Sequence, residues 1–467
     1  MRHDITKIVA TLGPASSTPE AIRALLEAGV NVCRINFSHG THAQHAQTIA
    51  HVRAAATTLG LPVAILGDLQ GPRIRIGVLP EPFEVTAGQA LTFVPEAHAT
   101  GEDVPVTYDD IARDVQVGAT ILVNDGLLAF EVQRIDGDRV HVVVTVGGRL
   151  SSNKGMNLPG VDVSAPSLTE KDRADVVFAV EQDLDYLALS FVRRADDLRL
   201  LRSLVPAGML LVAKIEKDSA LERIEEILQA TDAVMVARGD LGVELPFEDV
   251  PLQQKRIISL AARYGRPVIT ATQMLESMIQ HTRPTRAEAS DVANAILDGT
   301  DAVMLSAETA AGAHPVEAVR AMRRIATAAE AAEVTRGQGL DRVQPGSATV
   351  EETIASASVT ALRLLGARTI VVFTKSGFSA RIVAGRRPQG RIVALTDQPR
   401  TYRQLALVWG VIPLLVQTMD SYDGMIPVTR MLLRKHALAE AGEPFVVTAG
   451  VPFNVPGTTN LLKVETV

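Results

Sequence analysis

Residues 210–219 read LLVAKIEKDS and residues 232–242 read DAVMVARGDLG. Each holds a continuous apolar run that then meets charge: Lys214 and Glu216 in the first, Arg238 and Asp240 in the second. Strands that are apolar throughout, rather than alternating, belong to parallel sheets covered on both faces. A charge at the end of such a strand is costly unless it is paired, hydrated or holding a metal. Glu216 and Asp240 offer hard oxygen donors suited to Mg2+ or Mn2+. Lys214 beside them can stabilise negative charge developing on a bound molecule. The other reading of the same residues is an ion pair at the rim of a sheet.

Working outward, similar runs recur: TKIVATLG, VNVCRINFS, PVAILGDL, DYLALSF, RPVITATQM and DAVMLSAET. With the first two they make eight, the number a TIM (β/α)8 barrel needs. Helical segments separate them. TPEAIRALLEAG opens at Thr18 with Glu20 near the first turn, an imperfect capping box, and closes at Gly29. SALERIEEILQA and LQQKRIISLAARYG show apolar residues at helical spacing. One interval breaks the alternation. Residues 70–162 are rich in Val, Thr and Gly, with turn signals such as NDG and DGDR, and read as hairpins. They predict a small β-barrel domain inserted after the third strand, placed over the C-terminal face of the barrel as a lid. The catalytic barrel would then be discontinuous, 1–69 and 163–335. TRGQGLDRVQPGSAT reads as a linker. Beyond it, residues 345–467 alternate helix and strand through RTIVVFT, RIVALT and VIPLLV, predicting an open, mostly parallel α/β sheet.

The composition excludes several classes. A chain of 467 residues that is 47% hydrophobic is ordinary for a globular protein of two or three domains. A net charge of −7 lacks the basic footprint of nucleic-acid binding. The single cysteine, Cys33, forbids an internal disulfide framework and suits a reducing compartment. No window approaches a membrane span and the N-terminus lacks a signal peptide's apolar stretch, so the expectation is a cytoplasmic protein.

Polar groups gather at the C-terminal ends of the expected barrel strands: Arg34, Asn36, Ser38 and His39, then Asp68, Ser190, Lys214, Glu216, Asp240, Thr272, Ser306 and Glu308. That rim hosts the active site in this architecture. Several segments also carry a family resemblance, among them KIVATLGPAS, GVNVCRINFSHG, GPRIRIG, NKGMNLPGV, LALSFVR, VMVARGDLGVE, ATQMLESM and LSAETA, with PGTTNLLKV at the tail. In this order they resemble the pyruvate kinase family, bacterial type, over nearly the whole chain.

The resemblance implies phosphoryl transfer from phosphoenolpyruvate to ADP, giving pyruvate and ATP, the last step of glycolysis. It implies that Glu216 and Asp240 hold the divalent ion, which neutralises charge and aligns the donor oxygens. Lys214 would steady the phosphoryl group and the enolate. Arg34 would bind substrate phosphate with its planar fork. The turn Ala237, Arg238, Gly239 and Asp240 would hold the substrate carboxylate on backbone N–H groups, with Ser306 nearby. Thr272 would position the proton source at the enolate carbon. Asn36, Ser38, Asp68 and Leu69 match the family's monovalent-cation pocket. Here the chain departs from the potassium-dependent pattern Asp-Thr-Lys-Gly-Pro-Glu-Ile-Arg-Thr. It has Asp68-Leu69-Gln70-Gly71-Pro72-Arg73-Ile74-Arg75-Ile76, with Arg73 in the place of the acidic residue. A guanidinium there can supply the charge that K+ otherwise brings, so the expected enzyme needs Mg2+ or Mn2+ but no K+. Arg75 and Lys154 would reach the nucleotide phosphates. The loop Thr374, Lys375, Ser376, Gly377, Phe378, Ser379, joined by residues 457–460, resembles an effector-phosphate loop for a sugar phosphate or nucleotide. The family also implies a homotetramer. A metal-dependent pyruvate-enolate aldolase or lyase is the competing reading, and a non-catalytic sensor a third; an aldolase has no use for a nucleotide lid.

Overall fold

The computed structural model describes residues 5–331, 348–417, 421–451 and 459–467. Eight parallel strands close into a barrel: Lys7–Leu12, Val32–Asn36, Ala64–Asp68, Tyr186–Leu189, Leu210–Ile215, Ala233–Ala237, Val268–Ala271 and Ala302–Leu305. The last pairs with the first, Lys7 opposite Ala302. Their interior is a packed core of Val9, Leu66, Tyr186, Val212, Met235 and Ile269. The outer faces pack on the helices through a larger cluster that includes Ile8, Leu25, Leu187, Ile257 and Met322. Continuous apolar runs are therefore what a barrel strand requires, one side for each core.

Local signals set the helix ends. Thr18 caps its helix through Ala21 N, and Gly29 closes it at φ 132°. Glu20 does not complete a capping box, because it stands one position too early to reach the cap backbone. Complete boxes occur instead at Thr41 with Gln44, Thr169 with Asp172, Thr285 with Glu288 and Thr349 with Glu352. The single helix expected over SALERIEEILQA divides at Arg223 into Asp218–Glu222 and Ile224–Ala230.

The insertion leaves after Asp68 and returns before the helix Glu170–Glu181. It holds a six-stranded sheet, Met156–Asn157, Thr120–Val123, Leu128–Asp136, Arg139–Val146, Ala90–Pro95 and Val104–Val106 in spatial order, and a two-stranded pair. Its own core centres on Phe93 and Phe130, edge to face at 5.1 Å. The C-terminal sheet runs Val411–Leu415, Arg391–Thr396, Thr369–Phe373, Pro444–Gly450 and Thr459–Thr466, with only the last antiparallel. Between the strands Arg391–Thr396 and Val411–Leu415 the chain forms a short helix Pro399–Gln404 and a tight turn Leu405–Leu407. That turn docks on the barrel floor. Leu407 joins the barrel's interior cluster, and Tyr186 Oη donates to Gln404 O at 2.7 Å. Most of the expected linker, like Gly457 and Thr458, lies outside the described residues.

Candidate active site

The fifth strand carries Lys214 to the barrel's C-terminal rim, where its ammonium meets three strands' worth of acceptors. Nζ lies 2.9 Å from Glu216 Oε1, 3.4 Å from Asp68 Oδ1 and 2.7 Å from Ser190 Oγ, to which it donates. Arg34 Nε donates to Asp68 Oδ2 at 2.6 Å, and its other arm to Thr11 Oγ1 at 2.9 Å. Glu216 Oε2 accepts the Phe191 N–H at 2.6 Å. Side chains from strands one to five thus form one connected network, with Asp68 and Glu216 each 1% exposed.

This network sets the protonation states. Burial pushes Asp68 up, but Lys214 and Arg34 outweigh it and hold the carboxyl below its ordinary range. Burial opposes the Lys214 charge, yet Asp68 and Glu216 overcome it and raise the ammonium's pKa. Glu216 goes the other way: burial, helped by the Asp240 charge, raises its pKa against the pull of Lys214. Removing charge from this corner is uphill for Asp68 and Lys214, whereas Glu216 carries more negative charge than its surroundings favour. An added cation would relieve that excess.

Asp240 stands beside it, half-buried, and its carboxylate accepts no hydrogen bond among the described residues. Among those residues no three His, Cys, Asp or Glu side chains form a closed metal cage. Mg2+ does not need one, since it is ordinarily held by one or two carboxylates together with waters and substrate phosphate. The donor set therefore fits that ion.

Backbone strain marks the same rim. Phe191, Thr272 and Gln273 have φ of 53°, 67° and 54°. For the β-branched Thr272 this is a true outlier, of the kind that gathers at functional sites. Thr272 Oγ1 donates to Ala271 O and accepts the Gly239 N–H, both at 2.7 Å. The Gly239 amide expected to hold a substrate carboxylate is thus engaged by Thr272. Arg238 turns away from the rim to Asp291, at 2.7 Å, and to the carbonyls of Ala271 and Thr272. In this arrangement it fixes the Thr272 turn. Ser306 donates its N–H to the buried Glu308, whose pKa burial raises.

Two cavities open from the rim. One, about 340 Å3, lies between barrel and insertion; Arg73, Arg75, Lys154, Lys217 and Asp240 line it. Arg73 is exposed and makes no ion pair among the described residues. It does not reach Asp68, whose charge is met by Lys214 and Arg34. Arg75 donates to Asn153 O at 2.9 Å, and Ile76 N–H donates to Lys154 O, so Arg75 and Lys154 ride on two paired segments. Asn36 Oδ1 accepts the Ser38 N–H at 3.1 Å, and the Leu69 carbonyl accepts from Ser190. Gly71, at φ 70°, makes the exit turn; a Cβ there would lie 2.9 Å from Phe191. The second cavity, about 950 Å3, lies on the other side of Arg34, lined by Pro14, Asn36, His39, His45 and Ser306 among others.

In the C-terminal domain, Thr374 Oγ1 accepts the Gly377 N–H at 2.9 Å, ahead of the helix Phe378–Gly385. Lys375 pairs with Asp397, and Ser379 hydrogen-bonds to Thr459. Ser376 O accepts from Arg381.

Sequence reasoning missed the larger cavity and the anchoring of Arg34 on Thr11. It also missed Lys217, Glu244 and Arg193, which line or border the smaller cavity. Lys217 directly follows Glu216, and Glu244 stands one helical turn past Asp240; that spacing was the available signal.

A closed barrel bearing an inserted β domain, with a buried lysine between two carboxylates at its rim, has the architecture of an enzyme acting on a small anionic substrate. Comparison with known proteins carries this further. The pyruvate kinase barrel-domain model matches residues 3–319, and the pyruvate kinase alpha/beta-domain model residues 352–465. A pyruvate kinase of Geobacillus stearothermophilus is 46% identical over 99% of this chain and 80% of its own. Pyruvate kinase 2 of Synechocystis is 44% identical with 99% and 79% covered. The crystal structure of a pyruvate kinase from Cryptosporidium parvum superimposes with a TM-score of 0.95 at 36% identity, covering 99% of this chain and 96% of that one. The chain belongs to the pyruvate kinase family and is a phosphotransferase. The aldolase and sensor readings are set aside. Among the described residues no helix is long and apolar enough to cross a membrane.

Proposed function

We propose that this enzyme moves the phosphoryl group of phosphoenolpyruvate to ADP at the Lys214 network, giving pyruvate and ATP in the cytoplasm. The observation that carries this is the placement of Lys214 Nζ between Asp68, Glu216 and Ser190, next to the Arg34 guanidinium and the free Asp240 carboxylate. Glu216 and Asp240 would hold Mg2+ or Mn2+. The ion, when bound, supplies positive charge to the transferring phosphoryl and orients its oxygens. Lys214, kept protonated, stabilises the enolate oxygen left when the phosphoryl departs. Arg34 binds phosphate from the side of the larger cavity. That cavity is roomy enough for a nucleoside, and Ser306 stands at its edge. Arg75 and Lys154 close on the nucleotide phosphates from the lid. Thr272, fixed by Arg238 and Gly239, directs a proton to the enolate carbon; Ala237 supplies the buried end of that turn.

From the wall of the smaller cavity, Arg73 supplies the positive charge that K+ otherwise brings to the Asn36, Ser38, Asp68 and Leu69 pocket. An exposed, unpaired guanidinium on the cavity wall has the freedom to reach bound phosphate, which supports this reading. The Thr374–Ser379 loop takes a sugar-phosphate or nucleotide effector in a homotetramer, an anion replacing Asp397 as the partner of Lys375. The test is ATP and pyruvate formation with Mg2+, with K+ or with tetramethylammonium at matched ionic strength. Full turnover without K+ supports both claims. Turnover only with K+ retires Arg73, and none in either buffer, effectors included, retires the reaction.

A further inference from the structure

Three observations converge where the inserted domain meets the barrel. Asn157, on the insertion's edge strand Met156–Asn157, donates from Nδ2 to Glu244 Oε1 at 3.2 Å. Lys217 Nζ pairs with that same oxygen at 2.5 Å. The Glu244 side chain is only 1% exposed, and its Oε2 is buried with no hydrogen-bond partner. A buried carboxylate with an unmet oxygen calls for an explanation.

The neighbours supply one. Glu244 ends the short helix that begins with Arg238 and carries Asp240, and Lys217 directly follows Glu216. Asn157 lies three residues after Lys154, and Met156 N–H donates to Ile74 O while Ile76 N–H donates to Lys154 O. Any displacement of Asn157 therefore carries Lys154 and Arg75 with it. Nearby, Arg193 of the barrel donates to the carbonyls of Val163 and Ala165 on the returning segment, a pivot made of backbone acceptors. The pivot holds main chain, whereas the Asn157 contact is one side-chain hydrogen bond that can release.

We propose that Glu244, oriented by Lys217, is the catch that holds the inserted domain over the barrel, and that Asn157 is what it catches. This rests on the reaction proposed above. It makes Glu244 and Asn157 positioning residues: they act by setting the fraction of enzyme in which Lys154 and Arg75 face the nucleotide. A ligand that needs the closed form binds more weakly by the fraction closed. Losing a hydrogen bond to a charged acceptor is expected to cost about ten-fold in the closed-to-open ratio.

The test compares Asn157→Ala with Asn157→Gln, which can still donate to Glu244. Neither change strands a buried charge, so both variants are expected to fold. Spin labels at Glu102→Cys on the insertion and Glu222→Cys on the barrel, both exposed, report the distance between the two parts. The native Cys33 is buried, and burial pushes its thiol up to about 12, so it stays unlabelled. Asn157→Ala should broaden the distance distribution without nucleotide and raise KM for ADP in proportion to the closed fraction lost, by up to about ten-fold, leaving KM for phosphoenolpyruvate unchanged. Asn157→Gln should restore both. An unchanged distance distribution in Asn157→Ala overturns the catch, as does an unmoved KM for ADP or a parallel rise in both KM values. An unmutated enzyme that fails to turn over refutes the reaction instead, and the label distances still decide the catch.

Discussion

Replacing Glu216 by Gln tests the metal assignment by a route that separates binding from folding. Gln has nearly the same shape and keeps an acceptor for the Phe191 N–H, but it halves the formal charge of the Glu216 and Asp240 pair. In the unmutated protein, Mg2+ at a hundred times its Kd should stabilise the fold by about 2.7 kcal/mol. For a unit the size of the barrel that is an upward shift in melting temperature of roughly 5–10 °C. Partners one shell out from a metal are worth ten- to a hundred-fold in affinity, so losing a ligand carboxylate should cost at least ~100-fold. The same Mg2+ concentration is then near the variant's Kd, and the stabilisation falls to about 0.4 kcal/mol. Scanning calorimetry with and without Mg2+ reads both numbers. The metal-free variant should be no less stable at neutral pH. The Glu216 pKa is raised on folding by burial and Asp240, so between the ordinary carboxylate pKa and that raised value the folded state holds a proton the unfolded chain has lost. Stability from this group therefore falls as pH rises through that window, and above it the ionised side chain is a net cost that Gln removes. Because the metal needs the ionised form, its effect on the unmutated protein should also shrink toward acid, by about tenfold in affinity per pH unit below the raised pKa. A Glu216→Gln protein that keeps the full Mg2+ shift and full turnover would show that Glu216 is not a ligand.

Three further outcomes can be checked. Arg73→Glu should make turnover depend on K+, read as activity against added KCl; unchanged activity in tetramethylammonium buffer would exclude Arg73 as the built-in cation. Thr272→Ala removes the acceptor of the Gly239 N–H and should lower kcat about 100-fold, most visibly in solvent-deuterium incorporation into the pyruvate methyl, while Thr272→Ser keeps most of it. Arg403→Ala removes the 2.7 Å contacts to both Asp183 and Asp185; since Arg53 and the Ile65 N–H still bind Asp185, the loss should be about 1–3 kcal/mol, seen as earlier melting of the contact between barrel and C-terminal domain.

The architecture was readable because burial on both faces leaves a one-dimensional trace. Every barrel strand lies inside one of the eight predominantly apolar runs read from the sequence, and the insertion shows as a change to Val- and Thr-rich hairpins. The misses have equally physical causes. The helix Tyr422–Lys435 contains Pro427, which blurs the helical pattern in the linear sequence. The strand Thr459–Thr466 is an antiparallel edge strand, largely exposed, so it lacks the apolar run that identified Thr369–Phe373, Arg391–Thr396 and Val411–Leu415. Arg223 divides a stretch whose apolar spacing looks continuous, because periodicity does not record a break of one residue.

At the site, the sequence identifies which side chains reach the rim but not which ones they bind there. Arg34 and Asp68 stand on neighbouring strands, so their contact follows from barrel register: Asn36 is opposite Asp68. The expectation that Arg34 simply awaits phosphate overlooks that it already holds Asp68 and Thr11. The same holds for Gly239, whose N–H is taken by Thr272, and for Arg73, which faces the lid cavity and not the Asp68 pocket. In each case the residue type suits the expected chemistry, and the partner is set by three-dimensional neighbours. What results is a centre charged in advance: Asp68 and Lys214 are locked in their ionised states by each other, and Glu216 alone is pushed toward taking a proton. The position in the network where a cation is most favoured is therefore the carboxylate beside Asp240. It is also one residue from Lys217, which orients Glu244 against the inserted domain. In the proposed reaction, metal, transferring group and inserted domain would meet at the ends of the same two strands whose sequence first signalled the fold.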